Sequence, residues 1–144
     1  MAKKLLVSEV FELVSKADAR KDKIEILRKH NTLELRDILK GAFDDTVQFI
    51  LPKGVPPIEE DQKKLYDKVR LVTETKKFRY FVKGGPGEQV NPLRREKMFI
   101  DICYRIDSKE VELVCHMKDK TLDGVYKGLT KKLVQEAFPG LIVK

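Results

Sequence analysis

Five lysines, Lys118, Lys120, Lys127, Lys131 and Lys132, fall between positions 118 and 132 around Gly124, Gly128 and Thr130, with Asp119 and Asp123 against them. Residues of these types in this order could hold phosphate. The first turn of a helix offers unpaired N–H groups and the positive end of the helix dipole, Thr130 is placed to cap such a helix, and Gly128 lets backbone approach closely. A site of this kind grips a phosphate backbone and does not read bases. The competing reading is a solvated turn. A second basic run lies at 63–83, where 8 basic residues face 2 acidic ones, while 1–62 carries 11 against 12 and 84–144 carries 11 against 9. Lys76, Lys77, Arg79 and Lys83 make this run a secondary candidate surface, against the plainer reading of a solvated helix face.

Other groupings promise less. Gly84, Gly85 and Gly87 suggest a phosphate loop, but Glu88 and Gln89 stand where a Walker-type loop carries Lys and Ser or Thr, so turn chemistry is expected. The stretch Lys120-Thr-Leu-Asp-Gly resembles a nucleotidyl-transfer motif with one residue too many. His30 and His116 have no spaced partner, and Ser8, Ser15 and Ser108 lack a nucleophile-elbow glycine pattern. Cys103 and Cys115 lack the short paired spacing of a zinc site and read as buried, reduced thiols of a cytosolic chain. No catalytic residue, metal or cofactor is expected.

The elements that must position these residues are helices. The 144 residues carry a net charge of +7, with 42% hydrophobic and 37% charged residues. That composition excludes a disordered chain, and no apolar run is long enough to span a membrane. Leu6, Val10, Leu13 and Val14 recur at helical spacing in a first helix starting near Lys4 or Ser8, and the charges at Glu9 and Glu12 break any export signal. Asp18 is expected to cap a second helix that runs to His30. Asn31 with Glu34 forms a capping-box pattern before a third, through Ala42. Residues 44–57 read as a loop with room for a short strand at 47–51. Leu65, Val69, Val72, Phe78 and Val82 predict one long helix or two shorter ones, ended by the glycines at 84–87. Asn91-Pro92 opens a helix through Ile106 and Asp107 with Glu110 opens another, while Thr130 opens the last, stopped by Pro139-Gly140. The expectation is one all-α domain over 1–144, of about six to seven helices built from helical hairpins.

Two resemblances attach to particular residues. Leu6-Val-Ser-Glu-Val, Lys23-Ile-Glu-Ile-Leu with His30-Asn-Thr, Phe81-Val-Lys-Gly-Gly, Arg94-Arg-Glu-Lys-Met-Phe-Ile, Lys118-Asp-Lys and Glu136-Ala-Phe-Pro resemble an uncharacterised family of small proteins from large contractile-tailed phages, many of marine hosts. That resemblance implies action in the cytoplasm of an infected bacterium. The chain is also similar to the N-terminal helical DNA-binding domain of phage-type ATP-dependent DNA ligases. The similarity rests on Ile24, Ile26 and Leu27 before Asn31, on Val47-Gln-Phe-Ile before Pro52, on Arg94-Arg95, and on Glu112-Leu-Val leading to Leu129-Thr130 and Ala137-Phe-Pro-Gly-Leu-Ile.

In the ligases this last motif leads into an adenylation domain, whereas here Lys144 follows three residues after Leu141. The resemblance therefore implies a non-enzymatic domain that grips duplex DNA across the minor groove, with contacts at Lys118, Lys120, Lys127, Gly128, Thr130, Lys131 and Lys132. The turn is longer here than in that family by about the 123–127 stretch. The expected partner is double-stranded DNA in replication, repair or packaging. The alternative is a protein-interaction module that binds a phage or host replication, transcription or virion component.

Overall fold

The computed structural model describes residues 5–142, so the expected helix start at Lys4 lies outside the described residues, as do the two ends of the 1–144 domain. The described chain is all-α. Its helices are α1 (Val7–Lys16), α2 (Arg20–Lys29), α3 (Leu33–Phe43), α4 (Glu60–Lys63), α5 (Leu71–Thr75), α6 (Pro92–Arg105), α7 (Ser108–Lys118), α8 (Leu122–Val125) and α9 (Lys131–Ala137), with 3-10 helices at Lys76–Phe81 and Pro86–Gln89. Among the described residues the expected strand at 47–51 is reduced to a single antiparallel bridge, Phe49 with Val82.

Helix starts follow side-chain chemistry where a cap is free to form. Asn91 accepts the Leu93 N–H at 2.9 Å ahead of Pro92, and Asp107 accepts the Lys109 N–H at 2.9 Å. Two expected caps are displaced. Thr32, not Asn31, caps α3 by accepting the Leu35 N–H at 3.3 Å, and α2 starts behind Ala19 with no side-chain cap from Asp18. Of the two forms expected over 65–82, the single long helix is absent and two shorter helices, α5 and the 3-10 helix, meet at Thr75 and Lys76. The Val69 N–H leaves the local pattern to donate to the Arg105 carbonyl at 2.9 Å, and the Thr75 hydroxyl turns back onto the Val72 carbonyl at 3.1 Å. The chain then tightens to 3-10 geometry. Its three-residue repeat stacks Phe78 over Phe81, and both are buried.

The core joins Phe11 and Val14 of α1, Leu27 of α2, Leu35, Ile38 and Leu39 of α3, Ile102 and Cys103 of α6, Leu113 and Val114 of α7, and Leu133 and Val134 of α9. Helix α2 packs between α1 and α9, and α3 packs on α7. At the α3 to α7 contact, a Cβ on Gly41 would stand 2.7 Å from the Met117 sulfur, so a larger residue there would push the two helices apart.

Cationic side chains close four helix C-termini. The Lys23 ammonium donates to the Val14 carbonyl at 2.9 Å and to that of Ala17, at the end of α1. The Lys120 ammonium donates to the carbonyls of Gly41 and Asp44 at the end of α3, and Lys63 to those of Cys103 and Ile106, both at 2.7 Å, at the end of α6. The Arg28 guanidinium donates to the Ala137 and Glu136 carbonyls at 3.0 and 3.1 Å, at the end of α9. Last-turn carbonyls lack helical partners and carry the negative end of the dipole, so an ammonium or guanidinium group suits them in both respects.

One anion is buried against this pattern. Glu110, in the first turn of α7, does not return to its own helix start as a capping box would. It points inward, where Oε1 accepts from the Ser8 N–H at 3.4 Å and the Ser8 hydroxyl at 3.3 Å, while Oε2 has no partner. Burial, aided by the charges of Asp107 and Glu9 and opposed by the two Ser8 bonds, pushes its pKa up to about 7 from an ordinary 4.5. The folded state therefore holds this proton more tightly than the unfolded one. The stability it confers is fully present below pH 4.5 and lost as pH rises to about 7, a fall of about 3 kcal/mol. Urea unfolding of wild type and Glu110→Gln across that range checks this. The gap between the two proteins should shift by that amount, and parallel curves would refute it.

Candidate nucleic-acid interface

The seven residues expected at the contact turn part company in the structure. Lys118 is buried, its side chain 2% exposed, and its ammonium donates to the Pro52 carbonyl at 2.8 Å, the Gly54 carbonyl at 2.9 Å and the Asp119 carboxylate at 2.8 Å. It pins the 52–54 loop to the end of α7. Lys120 sits at φ +60° with its ammonium on the end of α3 and 5.9 Å from the Phe49 ring centre. Burial lowers its pKa, opposed by the carboxylates of Asp44 and Asp45. Neither lysine is presented to a ligand, and both leave the contact set. Short spacing brought them together in sequence, but the chain turns them inward to open carbonyls.

What remains is compact. Lys127 and Lys132 are exposed and form no hydrogen bond or ion pair, while the half-buried Lys131 pairs with Asp45 at 2.9 Å. Thr130 caps α9 as expected, accepting the Leu133 N–H at 3.2 Å. Gly128 adopts φ +86°, a region L side chains avoid, and a Cβ there would come within 2.8 Å of the Lys23 Cε. The glycine thus lets the turn lie directly on the lysine that closes α1.

The secondary basic residues lie on the 3-10 helix Lys76–Phe81 and just beyond it. Lys76 and Lys83 are exposed, and among the described residues their ammonium groups have no partner, while Lys77 is paired with the buried Glu74 at 2.7 Å. The Arg79 guanidinium lies 5.2 Å from the Tyr80 ring centre and donates to its hydroxyl at 3.3 Å. This stacking orders an exposed arginine in advance of any contact.

A loop that no spacing in the sequence signalled connects the two groups. Asp45 holds Lys131, its carbonyl accepts from the Gln48 side-chain amide at 2.7 Å, and the Gln48 carbonyl accepts the Lys83 N–H at 2.8 Å. Residues 45 and 48 are three positions apart, which limits their separation to about 10 Å. The turn at 127–132 and the cations at 76–83 therefore border the same loop. Arg95 steadies its far side by donating to the carbonyls of Ile50 at 3.1 Å and Val90 at 3.0 Å.

The remaining candidates are structural. Gly84 adopts φ +83°, and its N–H donates to the Glu88 carboxylate at 2.8 Å, so the glycine run folds onto its own acid. The His116 ring bonds the Thr121 hydroxyl at 2.8 Å, and both cysteines are buried, with a hydrogen bond to Cys115 and then burial holding the Cys103 thiol above its usual range. Among the described residues no group of three His, Cys, Asp or Glu could hold a metal ion, and no helix is long and apolar enough to cross a membrane.

Residues 10–124 match the model of a family of unknown function, DUF6433. No curated protein and no solved structure matches the chain.

The division of lysines into inward and outward sets has a direct consequence for stability. Replacing Lys120 with Met should leave the Gly41 and Asp44 carbonyls open and lower the unfolding free energy by about 2 kcal/mol. Lys127→Ala should change it by less than about 0.5 kcal/mol. Equal urea midpoints for Lys120→Met and wild type would contradict the assignment.

Proposed function

The chain belongs to the DUF6433 family, and on that premise we propose that it is a non-enzymatic protein that holds duplex DNA by its phosphate backbone with little sequence preference. The observation that carries the reading is the shared loop. Lys131 is tied to residue 45 and the Lys83 backbone to residue 48, so the turn that bears Lys127 and Lys132 and the run that bears Lys76, Arg79 and Lys83 border one loop. Four of these five cations are lysines, compact charges suited to phosphate, which favours positioning contacts over sequence readout. The resemblances to contractile-tailed phage proteins and to the DNA-binding domain of phage-type ligases agree with this reading. They put the activity in phage replication, repair or packaging within the infected bacterium.

A second reading, a protein-interaction module on a phage or host machine, draws on Leu65 and Leu93, large apolar side chains exposed by 84% and 76%. A partner retained in pull-downs after nuclease treatment would favour it.

The DNA reading is tested by fluorescence anisotropy with a 20-bp duplex. With five free cations engaged, log affinity should fall against log salt with a slope of about −4.5. Charge reversal of either group, Lys127, Lys131 and Lys132 to Glu or Lys76, Arg79 and Lys83 to Glu, should weaken binding at least tenfold while the helical circular dichroism stays native. Absence of binding at low salt, or binding indifferent to salt and to both triple variants, would rule the reading out.

A further inference from the structure

We propose that Asp45 is a built-in competitor for phosphate, holding Lys131 in the unbound protein and keeping the affinity of the basic surface below what its cations could give. This rests on the DNA-backbone reading above. Asp45 stands on the loop between the two cationic groups, with its side chain 82% exposed and its carboxylate 2.9 Å from the Lys131 ammonium.

Its neighbour does a different task. The Asp44 side chain is fully buried, one oxygen accepting from the Thr46 N–H at 2.9 Å and the Thr46 hydroxyl at 2.6 Å, the other from Lys40 at 2.8 Å. Asp44 therefore builds the loop. The Asp45 carboxylate touches only Lys131, and its part in the loop is played by the backbone carbonyl that accepts from Gln48. An exposed pair of this kind stabilises the fold little. What it does is set an anion on a cation of the turn, at the loop that the turn borders.

A phosphate reaching Lys131 meets a carboxylate already in place. It must take over that ammonium and then sit beside the displaced negative charge. One isolated anion gains too little to do so. A duplex engages Lys127 and Lys132 on one side and Lys76, Arg79 and Lys83 on the other, and those contacts can carry the exchange. The carboxylate thus acts against weak anionic competitors and sets a threshold that a polyanion crosses.

Asp45→Asn keeps the size and the backbone contact and removes the charge. Its affinity for a 20-bp duplex should exceed that of wild type about fourfold, toward the upper end of what an exposed lysine–carboxylate pair is worth when a phosphate must break it. Its salt slope should steepen by about one, because Lys131 then neutralises a phosphate of its own. In a Lys131→Gln background the same substitution should give a markedly smaller gain and no added slope. Unchanged affinity and slope in Asp45→Asn, with wild-type binding intact, overturns the proposal and leaves the DNA reading standing. An equal gain with and without Lys131 overturns it as well, since the effect would then be general charge. If neither wild type nor Asp45→Asn binds duplex at low salt, the DNA reading itself fails and this inference falls with it.

Discussion

Contacts from ammonium and guanidinium groups to the open carbonyls of helix ends are what the rest of this structure depends on. Each α-helix leaves its last carbonyls without helical partners, and a bundle of short helices has many ends relative to its core. Here Lys23, Lys63, Lys120 and Arg28 close the ends of α1, α6, α3 and α9. Three of the four reach across more than 40 positions of sequence, so each contact also fixes how one helix stands against another. Burial pushes the ammonium groups of Lys63 and Lys120 below their ordinary pKa, the expected mark of cations drawn away from water to serve carbonyl oxygens.

That constraint governs how charge can be interpreted. Lys118 and Lys120 stand among the most concentrated basic residues of the chain, yet both face inward, while Lys127 and Lys132, a few residues on, face water. All four lie within six positions of Gly124 or Gly128. The difference is tertiary. Residues 118 and 120 follow α7 where it meets the end of α3 and the 52–54 loop, and open carbonyls stand within reach there; residues 127 and 132 meet none.

Legibility follows the same line. The starts of α6 and α9 were readable at Asn91-Pro92 and Thr130, because a cap and the N–H it serves are neighbours in sequence. The all-α class followed from stripes such as Leu35, Ile38, Leu39 and Ala42. Asp107 was readable as a cap, but Glu110 was not readable as a buried acid: its partner Ser8 lies about a hundred residues away, so the capping-box pattern and the inward contact cannot be told apart locally. Of the two forms expected over 65–82, the single long helix failed for a related reason, and the shorter pair is what forms. Its apolar residues suited a helix, but Val69 found its backbone partner at Arg105, and the spacing of Phe78 and Phe81 suited the tighter 3-10 turn as well as the α form. At the candidate site, the basic residues were visible and their grouping was not, since that grouping is made by the loop at 45–48.

The loop matters because of what holds it. Asp44 supplies a rigid corner through Thr46 and Lys40, Lys120 fastens its carbonyl, and Ile50 and Lys83 bond in the short bridge beyond. A segment tied at so many points keeps the spacing between the two cationic groups constant, which a pair of flexible lysine-rich tails would not do. The lysines turned inward therefore still contribute to the outward face: by fixing the ends of α3 and α7 and the loop between the cationic groups, they set the geometry of the cations that remain exposed.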